Sequence, residues 1–111
     1  MAAIEYTLPL PPERASLLER MPLGAIWKIA VVYDTPWWRD DGLTGQSLNV
    51  ESLLPVTLDA CAAIVPPGII NLLSMGPSAR RLSTMTAAER RSTAITALTR
   101  RFGTKAAHVT A

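Results

Sequence analysis

The sequence has few of the residues from which most small catalytic sites are assembled. One cysteine, Cys61, stands among 111 residues, so neither an internal disulfide nor a cysteine-based zinc cluster is available. The lone histidine, His108, removes His–His metal sites and weakens any catalytic triad, and its place near the chain end reads as surface. Six glycines nowhere spell G-x-G-x-x-G or a P-loop, so no phosphate-cradling turn is present. Ser74, Ser78 and Ser83 lack the glycine elbow of a serine hydrolase. Aromatic residues make up 5%, and none interleaves with the C-terminal arginines to stack bases. The longest uncharged run, between Asp59 and Arg80, is broken by Pro66, Pro67, Gly68, Gly76 and Pro77, whose freed backbone groups would lack partners in lipid. The opening MAAIEYTLPL has no basic leader. The expectation is a soluble, cytoplasmic chain in a reducing compartment, with no membrane partner.

What is present is apolar and unevenly charged. Hydrophobic residues at 49% and charged residues at 18% describe a folded chain of one domain at most. Residues 1–76 carry four basic and eight acidic residues, whereas residues 77–111 carry seven basic residues against Glu89 alone. A basic C-terminal third attracts phosphate or an acidic partner. Its plainer use is a solvated helix face, and nucleic acid is disfavoured by the missing aromatics.

Along the chain, IEYTL has the composition of a short strand, and Pro11 and Pro12 suit the start of a helix through PPERASLLERM. GAIWKIAVVYD is the strongest strand signal. Trp27, Ile29, Val31 and Tyr33 alternate with Ile26, Lys28, Ala30 and Val32, so both faces are apolar apart from Lys28. Such a strand is expected to be covered on both sides. DTPWWRDDGLTG predicts a turn or single helical turn; SLNV, PVTLDA and GIINLLSM predict three further strands in antiparallel pairing. Ser78–Leu82 predicts a short helix. Thr86 and Glu89 form a capping box opening a helix to Phe102, with Ala88, Ile95, Leu98 and Phe102 as its inner face and Gly103 as its end. The fold class is α+β, a short antiparallel or mixed sheet flanked by helices.

Lys28 has two readings. It is a lysine poised in a cavity, holding water or a cofactor atom, or a sheet-edge lysine whose stem packs while its ammonium reaches solvent. Asp34, Asp40 and Asp41 have the spacing of turn residues, with acid–base or cation chemistry as the sharper alternative. Trp37 and Trp38 suit packing onto the sheet, and Cys61 a small buried hydrophobe.

Read in order, LPPERASLLERMPLGAIWKIAVVYDTPWWRDDGLTG, PVTLDA, GIINLLSMGPSARRLS and TAAERRSTAITALTRRFG resemble the flavin-containing amine oxidase (monoamine oxidase) family. The resemblance covers residues 1–111 and implies part of the substrate-binding domain, a mixed sheet over the flavin. It implies a catalytic role for Lys28, whose counterpart holds a water near flavin N5, and a structural role for Trp38 and Arg39 in the aromatic-Trp-Arg turn. The implied cofactor is FAD, and the implied reaction is oxidative deamination of an amine with oxygen as acceptor. The family's dinucleotide fingerprint and flavin-attachment segment are not in this chain. FAD is therefore not expected to bind it alone, and activity and amine substrate belong to a complete enzyme. Complementary oxidase chains or self-association are the expected partners. ACAAIVPP stands where the family has a polar Asn- and Gly-containing turn, and Asn71-Leu72 where Leu-Gly is common. The rival reading is a non-enzymatic module presenting Arg80, Arg81, Arg90, Arg91, Arg100 and Arg101 to an acidic partner or nucleic acid.

Overall fold

A computed structural model describes residues 7–21, 23–61 and 66–111. The predicted strand IEYTL lies outside them except for Thr7 and Leu8, which form a bend. Helix α1 spans Pro12–Arg20, with Pro11 at its N-cap, where proline's missing N–H leaves no bond unmade. None of its residues is buried, and Leu17, Leu18 and Met21 stay exposed. The radius of gyration, 18.4 Å, exceeds the roughly 13 Å of a compact domain of this length. The chain is elongated, 57 × 29 × 22 Å, around a plate of sheet that leaves apolar side chains bare.

The plate is a four-stranded antiparallel sheet of order β1-β4-β3-β2, formed by β1 (Ile26–Tyr33), β2 (Ser47–Leu48), β3 (Val56–Asp59) and β4 (Gly68–Met75). Trp27 pairs with Ser74, Ile29 with Leu72 and Val31 with Ile70, so one face gathers the apolar side chains of β1 and β4. On β4 burial alternates strictly, with Gly68, Ile70, Leu72 and Ser74 inside. Helices α3 (Gly76–Ser83) and α4 (Ala87–Phe102) bring Leu82, Ala94 and Leu98 into the core cluster that holds this face. The expectation of cover on both faces of β1 fails here. Ile26 is 68% exposed, and Lys28 and Ala30 are also exposed, because both helices lie on the other side.

The capping box forms as predicted: the Glu89 amide donates to Thr86 Oγ1 at 3.2 Å, and the Thr86 amide donates to Glu89 Oε2 at 2.7 Å. The Thr86 amide foremost, and the Thr86 hydroxyl donating to the same oxygen at 2.9 Å, hold the Glu89 carboxyl below its ordinary value. The inner face of α4 is set by Ala94, Ala97 and Leu98. Of the predicted stripe, Leu98 is in the core and Phe102 packs against it, whereas Ile95 is only half-buried and Ala88 is exposed. Arg90 and Arg101 turn inward on that face, which composition alone does not reveal. Thr86→Ala removes one half of the box and should lower stability by about 1 kcal/mol in urea melts. A midpoint equal to the parent's would show that the cap contributes nothing.

Candidate functional site

The turn after β1 is held by one carboxylate. Helix α2 (Trp37–Asp40) follows the strand and places Trp38 in the core at 0% exposure. Trp38 Nε1 donates to Asp59 Oδ2 at 2.9 Å, Arg39 Nε donates to the same oxygen at 2.9 Å, and the Cys61 amide donates to Oδ1 at 2.8 Å. Partial burial acts to raise the Asp59 carboxyl, but the bonds from Arg39, Trp38 and Cys61 overcome it and hold it well below the carboxylate range. A Cβ on Gly45 would stand 2.9 Å from Trp38 Nε1, and φ there is +71°, so only glycine lets the following loop close over the indole. Tyr33, Trp37 and Trp38 stack edge to face with centroids 5.6 to 5.9 Å apart. Burial pushes the Tyr33 hydroxyl up to about 12, and it donates to the Ala106 carbonyl. Trp38 and Arg39 fasten a turn.

The three acids singled out by spacing do not converge. Asp41 pairs with Lys105 Nζ at 2.7 Å, Asp34 accepts from Thr110 Oγ1 at 2.8 Å, and Asp40 is exposed. Among the described residues no cluster of His, Cys, Asp or Glu is fit to hold a metal ion. Cys61 is half-buried rather than a buried hydrophobe, and its Sγ accepts the Ile69 amide at 3.0 Å; burial raises its thiol pKa. Asp59, the hub of the turn, carries no local signal, because its partners Trp38 and Arg39 lie 21 and 20 residues away.

Lys28 stands on the bare face of the sheet's edge strand β1, between Ile26 and Ala30 and across from Leu73. No hydrogen bond or ion pair among the described residues engages its ammonium. Asn71 pairs with Ala30, and Leu58 with Asn71, so the face is apolar across three strands, with one ammonium and one amide. A cavity of about 430 Å³ opens between β1 and α4, where Lys28, Arg90 and Arg91 border an otherwise apolar wall. Of the six arginines in the basic third, Arg90 and Arg101 are spent inside. Arg90 Nη1 donates to the Met85 and Leu82 carbonyls, its guanidinium lies 4.6 Å over the Trp27 ring, and Arg101 Nη2 donates to the Leu54 carbonyl. A continuous six-arginine surface is not formed. No helix among the described residues is long and apolar enough to cross a membrane.

Residues 1–110 match the profile of the family described as flavin containing amine oxidoreductase. The chain is 32% identical over 103 residues to an L-amino acid dehydrogenase of a Synechocystis species, covering 93% of this chain and 22% of that protein. It is 35% identical over 95 residues to the flavin-containing amine oxidase B of Sus scrofa, covering 78% of this chain and 17% of the oxidase. A solved putrescine oxidase variant superposes with a TM-score of 0.86 at 28% identity, over 97% of this chain and 24% of its own. A cyclohexylamine oxidase from Brevibacterium oxydans superposes with a TM-score of 0.82 at 26% identity, over 92% of this chain and 23% of its own. The chain spans about a fifth of the length of the curated relatives it matches.

Proposed function

We propose, since this chain belongs to the flavin-containing amine oxidoreductase family, that it forms the lysine-bearing sheet of the substrate-binding part of a flavin-dependent amine oxidase. The observation that carries the reading is the bare face of β1, β4 and β3, apolar and, among the described residues, uncovered by helices and with Lys28 as its one cation. FAD, when bound, supplies the two-electron acceptor for oxidation of the amine C–H. The residues present fit one wall of that site, because a planar apolar surface with a single ammonium suits a heteroaromatic ring and a held water. They do not fit the dinucleotide end, since no glycine-rich turn in the chain cradles a pyrophosphate. Lys28 would hold a water by its ammonium, and Ile26, Ala30 and Leu73 would keep bulk solvent from it. Trp38, Arg39 and Asp59 position β1 and touch neither substrate nor flavin.

The test is a graft of residues 1–110 in place of the matched segment of putrescine oxidase, supported by the TM-score of 0.86. The expected graft loads FAD and oxidises an amine; one that folds, loads FAD and leaves every amine tried unoxidised overturns the reading. Alone, the chain should stay colourless after incubation with FAD and gel filtration. Stoichiometric yellow flavin in the protein peak would show that it holds the cofactor without a dinucleotide fold. Complementary oxidase chains are the partners this reading calls for, with self-association through the bare face as the alternative assembly.

A further inference from the structure

Strand β1 is an edge of the sheet, and the chain's own C-terminal residues begin to extend it. The Val32 amide donates to the Ala111 carbonyl at 2.8 Å, and the Val32 carbonyl accepts the Thr110 amide at 2.8 Å and the Ala111 amide at 3.4 Å. Exchange of both bonds between Val32 and Ala111 is the antiparallel pattern. Val32 thus turns its backbone groups away from β4. Direction alternates along a strand, so Lys28 and Ala30 turn theirs the same way. The Ala25 carbonyl, in the opposite phase, accepts the Gly76 amide beyond the end of β4. No backbone hydrogen bond among the described residues meets the outward groups of Lys28 and Ala30. Burial changes along the same strand: Val31 and Tyr33, near the tail, are buried, whereas Trp27 and Ile29, beyond it, are half-buried. The cavity of about 430 Å³ between β1 and α4 lies along this open stretch, lined by Trp27, Ile29, Arg91, Ala94 and Ile95. Free N–H and C=O groups beside an apolar groove under a helix are the geometry in which an extended peptide adds as a strand. The lining includes Arg90 and Arg91 but no acid, and Arg91 is exposed with no ion-pair partner among the described residues. A second copy pairing β1 with β1 would bring its own Lys28, Arg90 and Arg91 to the seam, and like charges across strands oppose pairing.

We infer that the free edge of β1 takes up an extended peptide segment of a partner protein as an added strand, apolar opposite Ile29 and acidic opposite Trp27. The strand runs antiparallel to β1, as the tail does, and its backbone bonds to Lys28 and Ala30. Cross-strand neighbours share a face, so the side chains opposite Ile29 and Trp27 enter the groove. The first meets Ala94 and Ile95, and the second meets Arg91. The site uses the edge and the helix side of β1, not the bare face, so it stands or falls independently of the flavin reading. The test is a fluorescence anisotropy titration of the chain with labelled Val-Thr-Val-Thr-Glu-amide at fixed ionic strength, which removes general screening as a cause. In the inferred register these residues lie opposite Val31, Ala30, Ile29, Lys28 and Trp27. The peptide should bind saturably, and the Lys28 and Ala30 amides should slow in hydrogen exchange followed by NMR. N-methylation of the second Thr, whose amide faces β1, should weaken binding by about tenfold. N-methylation of the central Val, whose amide faces away, should leave the affinity unchanged. Replacing the peptide's Glu by Lys should weaken binding several-fold, and Arg91→Glu should restore it. Ala30→Pro should abolish binding while breaking no sheet bond, since proline is tolerated where the N–H faces outward. The methylated peptides act on the parent chain, so they decide the question even if that variant does not fold. No binding, equal loss from either methylation, unchanged exchange at both amides, or equal binding of the Lys peptide overturns the inference. So does a dimer in sedimentation that protects the two amides without peptide.

Discussion

Lys28→Met, introduced into the FAD-loaded graft, should slow one flavin half-reaction by about a hundredfold, the lower end of what a positioned proton-handling group contributes. The substitution keeps most of the stem volume and removes the only cation that the described residues place on the bare face. Stability should not change, because Lys28 is exposed and has no hydrogen-bond or ion-pair partner among the described residues whose loss would be felt. The half-reactions need separate measurement, since the relatives include both a dehydrogenase and oxidases and the slowed step differs with the electron acceptor. Stopped-flow reduction by amine and reoxidation by oxygen give the two rates. Parental rates in both would make Lys28 a structural residue and leave the sheet as a scaffold only.

Asp59→Ala should lower stability at pH 7 by about 3 kcal/mol, since it leaves the buried Trp38 Nε1 and the Cys61 amide without their acceptor. That is a large share of the roughly 5–15 kcal/mol that holds a domain folded. Asp59→Asn should lose about 2 kcal/mol, because an amide presents one acceptor where the carboxylate presents two. Arg39→Ala should cost clearly less than Asp59→Ala, since Arg39 is 37% exposed and its charge is screened. Asp59 titrates near 3.9 when unfolded and well below that when folded, so between these values the unfolded state binds more protons. Its contribution is present in full above about pH 4 and is lost as the pH falls through the folded value. Urea midpoints at pH 7 and pH 3 should therefore differ less in Asp59→Asn than in the parent. Equal pH sensitivity, or an unchanged midpoint at pH 7, would remove Asp59 as the hub of the turn.

Much of the secondary structure is legible locally. GIINLLSM forms a strand with the predicted bounds, because β-rich residues lie between a Pro-Pro-Gly turn and a glycine that starts a helix. The Thr86–Glu89 box works because both partners lie within one turn, so the signal sits inside a short window. The α4 stripe is right at Leu98 and Phe102 and wrong at Ala88, since an alanine-rich helix offers several narrow faces of similar hydrophobicity. Ala94 and Ala97 are chosen by contact with the sheet, not by their own side chains. The same holds for Arg90 and Arg101, whose long stems pack inward only where carbonyls of the α3–α4 connection and of Leu54 are waiting.

The sequence alone determined the order of helices and strands, the antiparallel pairing of short strands, the family resemblance, and the place of Lys28 on one of two alternating faces of its strand. Those properties depend on period, caps and turns, which act over a few residues. Tertiary structure decided which face is covered, because alternation divides residues into two sets without saying which set meets α3 and α4. It also decided that Asp59 rather than Asp34, Asp40 or Asp41 is the organising carboxylate, and that half-buried Arg101 reaches the Leu54 carbonyl. The last two rest on groups 20 to 47 residues apart and the first on elements farther apart still, all brought together only by packing of the sheet against its helices.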